Sequence, residues 1–250
     1  MPTNASFLEN IFVIHVKNGY EERKLHIDAH LPRRGIKHFE YILDGDIADL
    51  SNDLILDKFN TEALSLSEIS CFYKHYLAYL EILKRNLNSA LIIEDDAFLS
   101  KSTPKVLKKL SLILEQKENY LINIESNNRS VPLLMRRKGK LIYKTNHTKL
   151  AGGYIIDKIA AEKLVRRIQT SISSLPIDSY HTAMRENLNY NIYWLEPPIV
   201  EQGSKNGLFK SVLSNREKST VKHISSKFRN FYQKWIVTNL SPKRYKGFID

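Results

Sequence analysis

Apolar residues fall along this chain in two rhythms. Short, nearly unbroken apolar runs recur at residues 10–16, 38–43, 91–93, 120–125, 151–156 and 192–195. Runs of this length with little alternation predict strands buried on both faces, as in a mostly parallel sheet covered by helices. Between them, apolar positions recur at three- and four-residue spacing. The clearest case opens with Ser65-Leu66-Ser67-Glu68, a capping-box signature, and continues through Ile69, Tyr73, Tyr76, Leu77, Leu80, Leu83 and Leu87. Further helices are predicted from residue 21, after Ser102-Thr103-Pro104, after Asp157, and from Pro176 to about residue 189. Strands alternating with helices predict an α/β domain. Residues 49–60 and 126–148 carry neither rhythm and read as irregular, the second as a basic loop.

One run stands apart. Leu91-Ile92-Ile93 passes directly into Glu94-Asp95-Asp96, and apolar residues resume at Ala97-Phe98-Leu99. Like charges crowded at the end of a buried strand repel one another and need a cation or hydrogen bonds in compensation. Ligands of open α/β sheets bind at the carboxyl ends of strands. A divalent metal on Asp96, Asp95 and Glu94, holding substrate phosphates, meets both conditions. The alternative is that Asp95 and Asp96 cap the next element.

Other candidates carry two readings each. Arg23, behind the first strand and a turn containing Gly19, either meets a diphosphate or pairs with a neighbouring Glu. Asp44, in Asp44-Gly45-Asp46 after the second strand, either takes a ribose or base edge or forms a turn. Gly152 and Gly153 permit close backbone approach, to a ligand or to the next strand. Glu68 has a complete explanation as a cap, His75 as a buried histidine, and Asp178 as a helix N-cap.

Composition narrows the class. The 250 residues have ordinary globular proportions, and no apolar run is long enough to span a bilayer. The first residues lack the basic start and apolar middle of a signal peptide, and a single cysteine, Cys71, allows no internal disulfide. Cytoplasm is the expected compartment. The net charge of +11 is uneven: from residue 205 onward eleven Lys and Arg face only Glu217 and Asp250, with Phe209, Phe228, Phe231, Tyr232 and Trp235 interleaved. Such a segment lies on an anionic membrane, grips nucleic acid, or is a solvated helix packed on the domain. No nucleic-acid-binding motif, zinc-ligand spacing or internal repeat accompanies it, and nucleic acid is not the expected partner.

The ordered set of motifs resembles glycosyltransferase family 25, the bacterial lipooligosaccharide galactosyltransferases related to collagen galactosyltransferases. The residues that carry the resemblance are Ser65 to Cys71 with Lys74-His75, then Leu91 to Asp96. Further along they are Gly152-Gly153-Tyr154-Ile155-Ile156 with Ala160 to Leu164, Pro176-Ile177-Asp178, and Pro198-Ile199-Val200 with Gln202. Glu22-Arg23 resembles the family's opening motif, with Lys24 in place of a second Arg. Ser67, Ser70 and Lys74 depart from its usual Gly, Gly and Ser, which bears on donor or acceptor choice more than on fold. The resemblance spans residues 10 to 204. It implies a GT-A-like nucleotide-binding sandwich over 1–204, followed by a basic aromatic extension over 205–250. It also implies a metal, Mn²⁺ or Mg²⁺, held by the acidic motif on a donor diphosphate, and inversion at the sugar.

The expected activity is therefore inverting transfer of a hexose, galactose by family resemblance, from a UDP-sugar to a saccharide acceptor, lipid-linked and at the cytoplasmic membrane face. Asp178 is the first choice for the general base and Glu68 the second. Arg23, Asp44, Glu94, Asp95, Gly152, Gly153 and Gln202 are the candidate donor-binding residues. Basic side chains of the 129–149 loop are expected to help hold the diphosphate. The rivals are a metal-dependent nuclease or phosphotransferase, and a nucleotide-sugar-binding protein without turnover.

Overall fold

A computed structural model of the chain describes residues 7–127, 129–206, 209 and 247–248. Seven strands form the main sheet: β1 (Ile11–Ile14), β2 (Glu40–Ile42), β3 (Ser89–Glu94), β5 (Tyr120–Asn123), β6 (Ile142–Thr145), β7 (Gly153–Asp157) and β8 (Asn191–Leu195). Their order is β2-β1-β3-β7-β5-β8-β6. Five run in one direction; β7, in the middle, and β6, at the edge, are opposed. A separate two-stranded ribbon pairs β4 (Ala97–Leu99) with β9 (Val200–Gln202) antiparallel.

The unbroken apolar runs have a direct cause, because both faces of the sheet are covered. Phe12, Ile14, Ala90, Ile92, Tyr154 and Ile156 face one core. It is closed by α2 (Asn52–Lys58), α3 (Leu66–Lys84), α5 (Lys158–Gln169) and α6 (Ile177–Leu188). Ile11, Val13, Leu91, Ile93, Ile122 and Ile155 face the other, under α1 (Glu21–Arg33) and α4 (Thr103–Leu114). Successive residues of β1, β3 and β7 thus enter opposite cores, and neither face needs polar positions. Burying each such Leu or Ile is worth about 1.5–3 kcal/mol, so the sheet is the stable frame on which the loops are carried.

The starts of α3 and α5 follow their sequence signals. At α3, Ser65 Oγ accepts from the Glu68 backbone N–H, and Glu68 Oε2 accepts from the Ser65 N–H at 2.9 Å. Asp157 ends β7 and caps α5 by accepting from the Ala160 N–H at 3.0 Å. Asn189 closes α6 in the left-handed conformation, φ 48°.

Two expectations fail. Residues 49–60 are not irregular: they follow on from a 3-10 turn, Ile47–Asp49, and hold the seven-residue α2, capped by Ser51. That helix buries only Ile55, too little to leave a periodic signal. Residues 126–148 are not all loop, since they contain β6. Its Ile142, Tyr143 and Thr145 are buried although Lys140 and Lys144 flank and interrupt the pattern. Lysines on an edge strand discourage further pairing. The basic extension expected from residue 205 lies mostly outside the described residues. No helix among the described residues is long and apolar enough to cross a membrane.

The capping box at α3 is testable by substitution. Ser65→Ala should cost about 1 kcal/mol and lower Tm by roughly 2–4 °C for a chain of this size, measured by thermal unfolding. An unchanged Tm would show that the helix start is held by tertiary packing alone.

Candidate active site

The carboxyl ends of β1, β2 and β3 open on a cleft of about 650 Å³. Its walls come from the loop after β1, the first turns of α3, the acid turn after β3, Leu150-Ala151 before β7, and Pro176 to Asp178 at α6. Gln202 and Ser204 close one side. Backbone bonds fix the acid turn: Glu94 N–H donates to Gly152 O at 3.1 Å, Asp95 N–H to Ile14 O at 3.1 Å, and Gly203 N–H to Asp96 O at 2.8 Å.

The three acids have different fates. Asp95 is buried and both its oxygens are engaged: Arg23 donates to Oδ1 at 2.8 Å, and His15 Nδ1 lies 2.7 Å from Oδ2. The Arg23 guanidinium also lies over the rings of Tyr20 and Phe209, at 5.0 and 5.7 Å. Asp95 thus has a scaffold contact on each oxygen, and a metal would have to share those oxygens with Arg23 and His15. Asp96 is 1% exposed. Its Oδ2 accepts from the Ser204 N–H at 3.1 Å, whereas its buried Oδ1 has no hydrogen-bond partner among the described residues. Burial first, and the Glu94 charge second, raise its carboxyl above the usual range. Glu94 is partly exposed; Gln202 donates to its Oε2 at 3.1 Å. Its Oε1 stands 3.6 Å from His75 Nε2, and the ligand atoms of Cys71, His75 and Glu94 all lie within 4.8 Å of one another. Both Glu94 and Asp96 line the cleft and Asp96 keeps a buried oxygen without a partner among the described residues, a donor chemistry that fits a divalent cation.

Of the other expected residues, Glu68 and Asp178 both line the cleft. Glu68 Oε2 is held by the capping box. Asp178 is not the N-cap of α6, which is Pro176; it sits in the first turn, its Oδ1 accepting from the Ser179 N–H at 2.6 Å. Asp44 does not line the cleft. It is exposed and pairs with Lys17 at 3.3 Å, while Asp46 turns inward instead. Gly152 and Gly153 make room for the β9 segment rather than opening directly on the cleft: a Cβ on Gly152 would overlap Gln202, and one on Gly153 would press on Val200 at 3.2 Å. None of the cations of the 129–149 loop lines the cleft, contrary to expectation, because that loop leaves from β5, on the far side of β7.

Several contacts escaped the sequence reading. Lys74 is 1% exposed; it pairs with Asp46 Oδ1 at 2.8 Å and donates to the carbonyls of Leu43 and Asp44. A lysine on the buried side of an apolar helix was the available signal. Behind Glu94 runs a buried polar chain. His75 Nδ1 bonds Tyr154 Oη at 2.8 Å, Tyr154 bonds Tyr79 at 2.7 Å, and Tyr79 bonds His181 Nε2 at 2.6 Å. It links α3, β7 and α6, the three elements behind the cleft's rear wall.

Comparison with known proteins bears on the whole arrangement. The sequence profile of Glycosyltransferase family 25 (LPS biosynthesis protein) matches residues 8–181. Procollagen galactosyltransferase 2 of Homo sapiens is 25% identical over 137 residues, covering 51% of this chain and 21% of that protein. Procollagen galactosyltransferase 1 of Danio rerio is 26% identical over 137 residues, covering 51% and 22%. The match thus spans about a fifth of these relatives' length. Among solved structures, the inositol-1-phosphate CTP transferase from T. maritima aligns with a TM-score of 0.41 and 12% identity, over 88% of this chain and 96% of that one. At that level the likeness carries no functional information.

The buried chain has a consequence for acid stability. Burial, reinforced by the nearby His75, pushes the His181 imidazole down from 6.5 to about 3. The folded protein therefore keeps His181 neutral where the unfolded chain protonates it. Its contribution is complete above pH 6.5 and is lost progressively as pH falls towards 3. His181→Gln, which keeps an acceptor for Tyr79, should flatten the fall of the urea midpoint across that range. An equally steep fall in the variant would contradict the assignment.

Proposed function

The chain belongs to glycosyltransferase family 25, and from that premise we propose that it is an inverting hexosyltransferase using a uridine diphosphate sugar. Galactose is the first candidate sugar; glucose and the N-acetylhexosamines are the others to test. The proposed acceptor is a saccharide carried on a lipid at the cytoplasmic face of a membrane, and the sandwich is read as GT-A-like. One observation carries the reading: Glu94 and Asp96 face a cleft at the carboxyl edge of the sheet, and a buried Asp96 oxygen has no partner among the described residues. A cleft of this volume suits a ligand of nucleotide-sugar size.

Charge balance supports it further. With Asp95 paired to Arg23 and His15, Glu94 and Asp96 are the acids at the turn without a Lys or Arg ion pair among the described residues. One divalent ion, Mn²⁺ or Mg²⁺, held by these two would neutralise them and act as a Lewis acid on the departing diphosphate. Gln202 holds Glu94 in place, and Gly152 leaves the space for Gln202 to do so.

Asp178, at the first turn of α6, is proposed as the general base. Its carboxylate takes the acceptor hydroxyl's proton as that oxygen bonds the anomeric carbon and the bond to the diphosphate breaks. A single displacement inverts the anomeric centre and needs no covalent sugar–enzyme intermediate. Glu68 is the second choice, because its Oε2 already serves the capping box.

A panel of nucleotide sugars, with and without Mn²⁺, tests the reading through thermal stabilisation and diphosphate release. A UDP-sugar should raise Tm only with the metal, and Asp96→Ala should abolish that shift. Metal-dependent cleavage of DNA or RNA with no response to any nucleotide sugar would overturn it. Asp178→Asn should lower turnover by roughly 10²–10⁴-fold while leaving the donor-induced Tm shift intact. Loss of donor binding in that variant would instead make Asp178 a donor contact.

A further inference from the structure

Residues 126–150 contain seven Lys and Arg and no Asp or Glu, yet none of the seven lines the cleft. Within this segment a 3-10 turn, Leu133–Met135, leaves Leu134 87% exposed and Leu133 46% exposed. Single exposed leucines are common, but two adjacent ones at the tip of a uniformly cationic loop are a composite surface. The turn is braced from beneath: Arg136 donates to Val131 O at 2.9 Å and pairs with Glu196 at 2.9 Å. Arg137, Lys140 and Lys144 border a shallow cavity of about 170 Å³ beside Leu134 and Phe248.

Topology sets where this surface points. The loop leaves the carboxyl end of β5 and enters β6, whose first residue, Ile142, pairs with Leu195 at the carboxyl end of β8. Since β3, β5 and β8 run the same way, the loop stands on the same edge of the sheet as Glu94 and Asp96. The last described residues return here as well. Gly247 O accepts from Asn146 N–H at 3.0 Å, and the Phe248 ring meets Trp194 edge-on at 5.2 Å.

We propose that the 129–144 loop is a membrane-docking surface, with Leu133 and Leu134 entering the interface of an anionic bilayer and Arg137, Lys138, Lys140 and Lys144 lying over lipid phosphates. The occupant follows from chemistry. Cations beside protruding apolar side chains match the layered polarity of a lipid surface, anionic outside and apolar within. A nucleic acid would satisfy the cations and leave both leucines against a phosphate backbone. Docking on this edge would turn the cleft towards the bilayer; that consequence for the acceptor rests on the transferase reading above, whereas vesicle binding itself does not.

Flotation of the full chain with vesicles provides the test, comparing phosphatidylcholine alone with phosphatidylcholine mixed with phosphatidylglycerol. The chain should bind the mixed vesicles, less tightly as salt rises, and ignore the neutral ones. Leu133→Ser combined with Leu134→Ser should weaken binding roughly tenfold or more. Arg137→Glu combined with Lys140→Glu should weaken it and flatten the salt dependence. Unchanged circular dichroism and Tm would verify that the variants fold. The proposal is overturned if the parent chain does not bind, or if both variants bind as it does, which would place membrane contact elsewhere in the chain. Binding of an RNA oligomer that depends on the arginine and lysine but not on the leucines, without vesicle binding, would also overturn it. No donor sugar enters the assay, so its failure is distinguishable from failure of the transferase reading.

Discussion

The arrangement depends on how the charge of Asp95 is compensated. Three carboxylates follow one another at the end of a strand buried on both faces, where mutual repulsion and desolvation act together. Arg23 from α1 and His15 from the end of the neighbouring β1 answer the middle one, and in doing so tie α1 and the β1 loop to the end of β3. Removing one partner of such a buried pair typically costs about 3–5 kcal/mol. The geometry also sorts the acids. With Asp95 committed to the scaffold, Glu94 and Asp96 carry the charge that remains for a ligand to meet.

A second buried pair repeats the logic across the cleft. Lys74, deep on α3, holds Asp46 and two carbonyls of the β2 loop, so that α3 and the sheet edge form one wall. The antiparallel insertion of β7 supplies the rest. Its first turn places Gly152 against Glu125, whose Oε2 accepts the glycine N–H at 2.9 Å. The missing side chain admits Gln202 from β9, which reaches Glu94. The cleft is thus assembled from segments far apart in sequence, each anchored to a strand end.

Much of this was legible in the chain, for stated reasons. Buried strands announce themselves when both faces are covered, and α3 announces itself by a capping box and a long apolar stripe. The strands β1, β3, β5, β7 and β8 and the helix α3 read correctly, whereas β2 buries only Ile42. The acid turn was legible because carboxylates after a buried strand are costly. What escaped depends on partners distant in sequence. Asp44 and Asp46 are equivalent on paper; Gly45, at φ 92° and packed under Tyr73, turns one outward and the other towards Lys74. The different contacts of Glu94, Asp95 and Asp96 were invisible because they are set by Gln202, Arg23, His15 and Ser204. Strand β6 was hidden by its lysines, and α2 by burying a single residue.

The central claim is that Glu94 and Asp96 face a bound cation while Asp95 stays with Arg23. Anomalous diffraction from crystals soaked with Mn²⁺ and uridine diphosphate measures this directly. The account predicts a manganese peak within ligand distance of Asp96 and Glu94 oxygens, beside the diphosphate, with the Asp95–Arg23 pair intact. A peak on Asp95 with Arg23 displaced, or none in the cleft while nucleotide is bound, would contradict it.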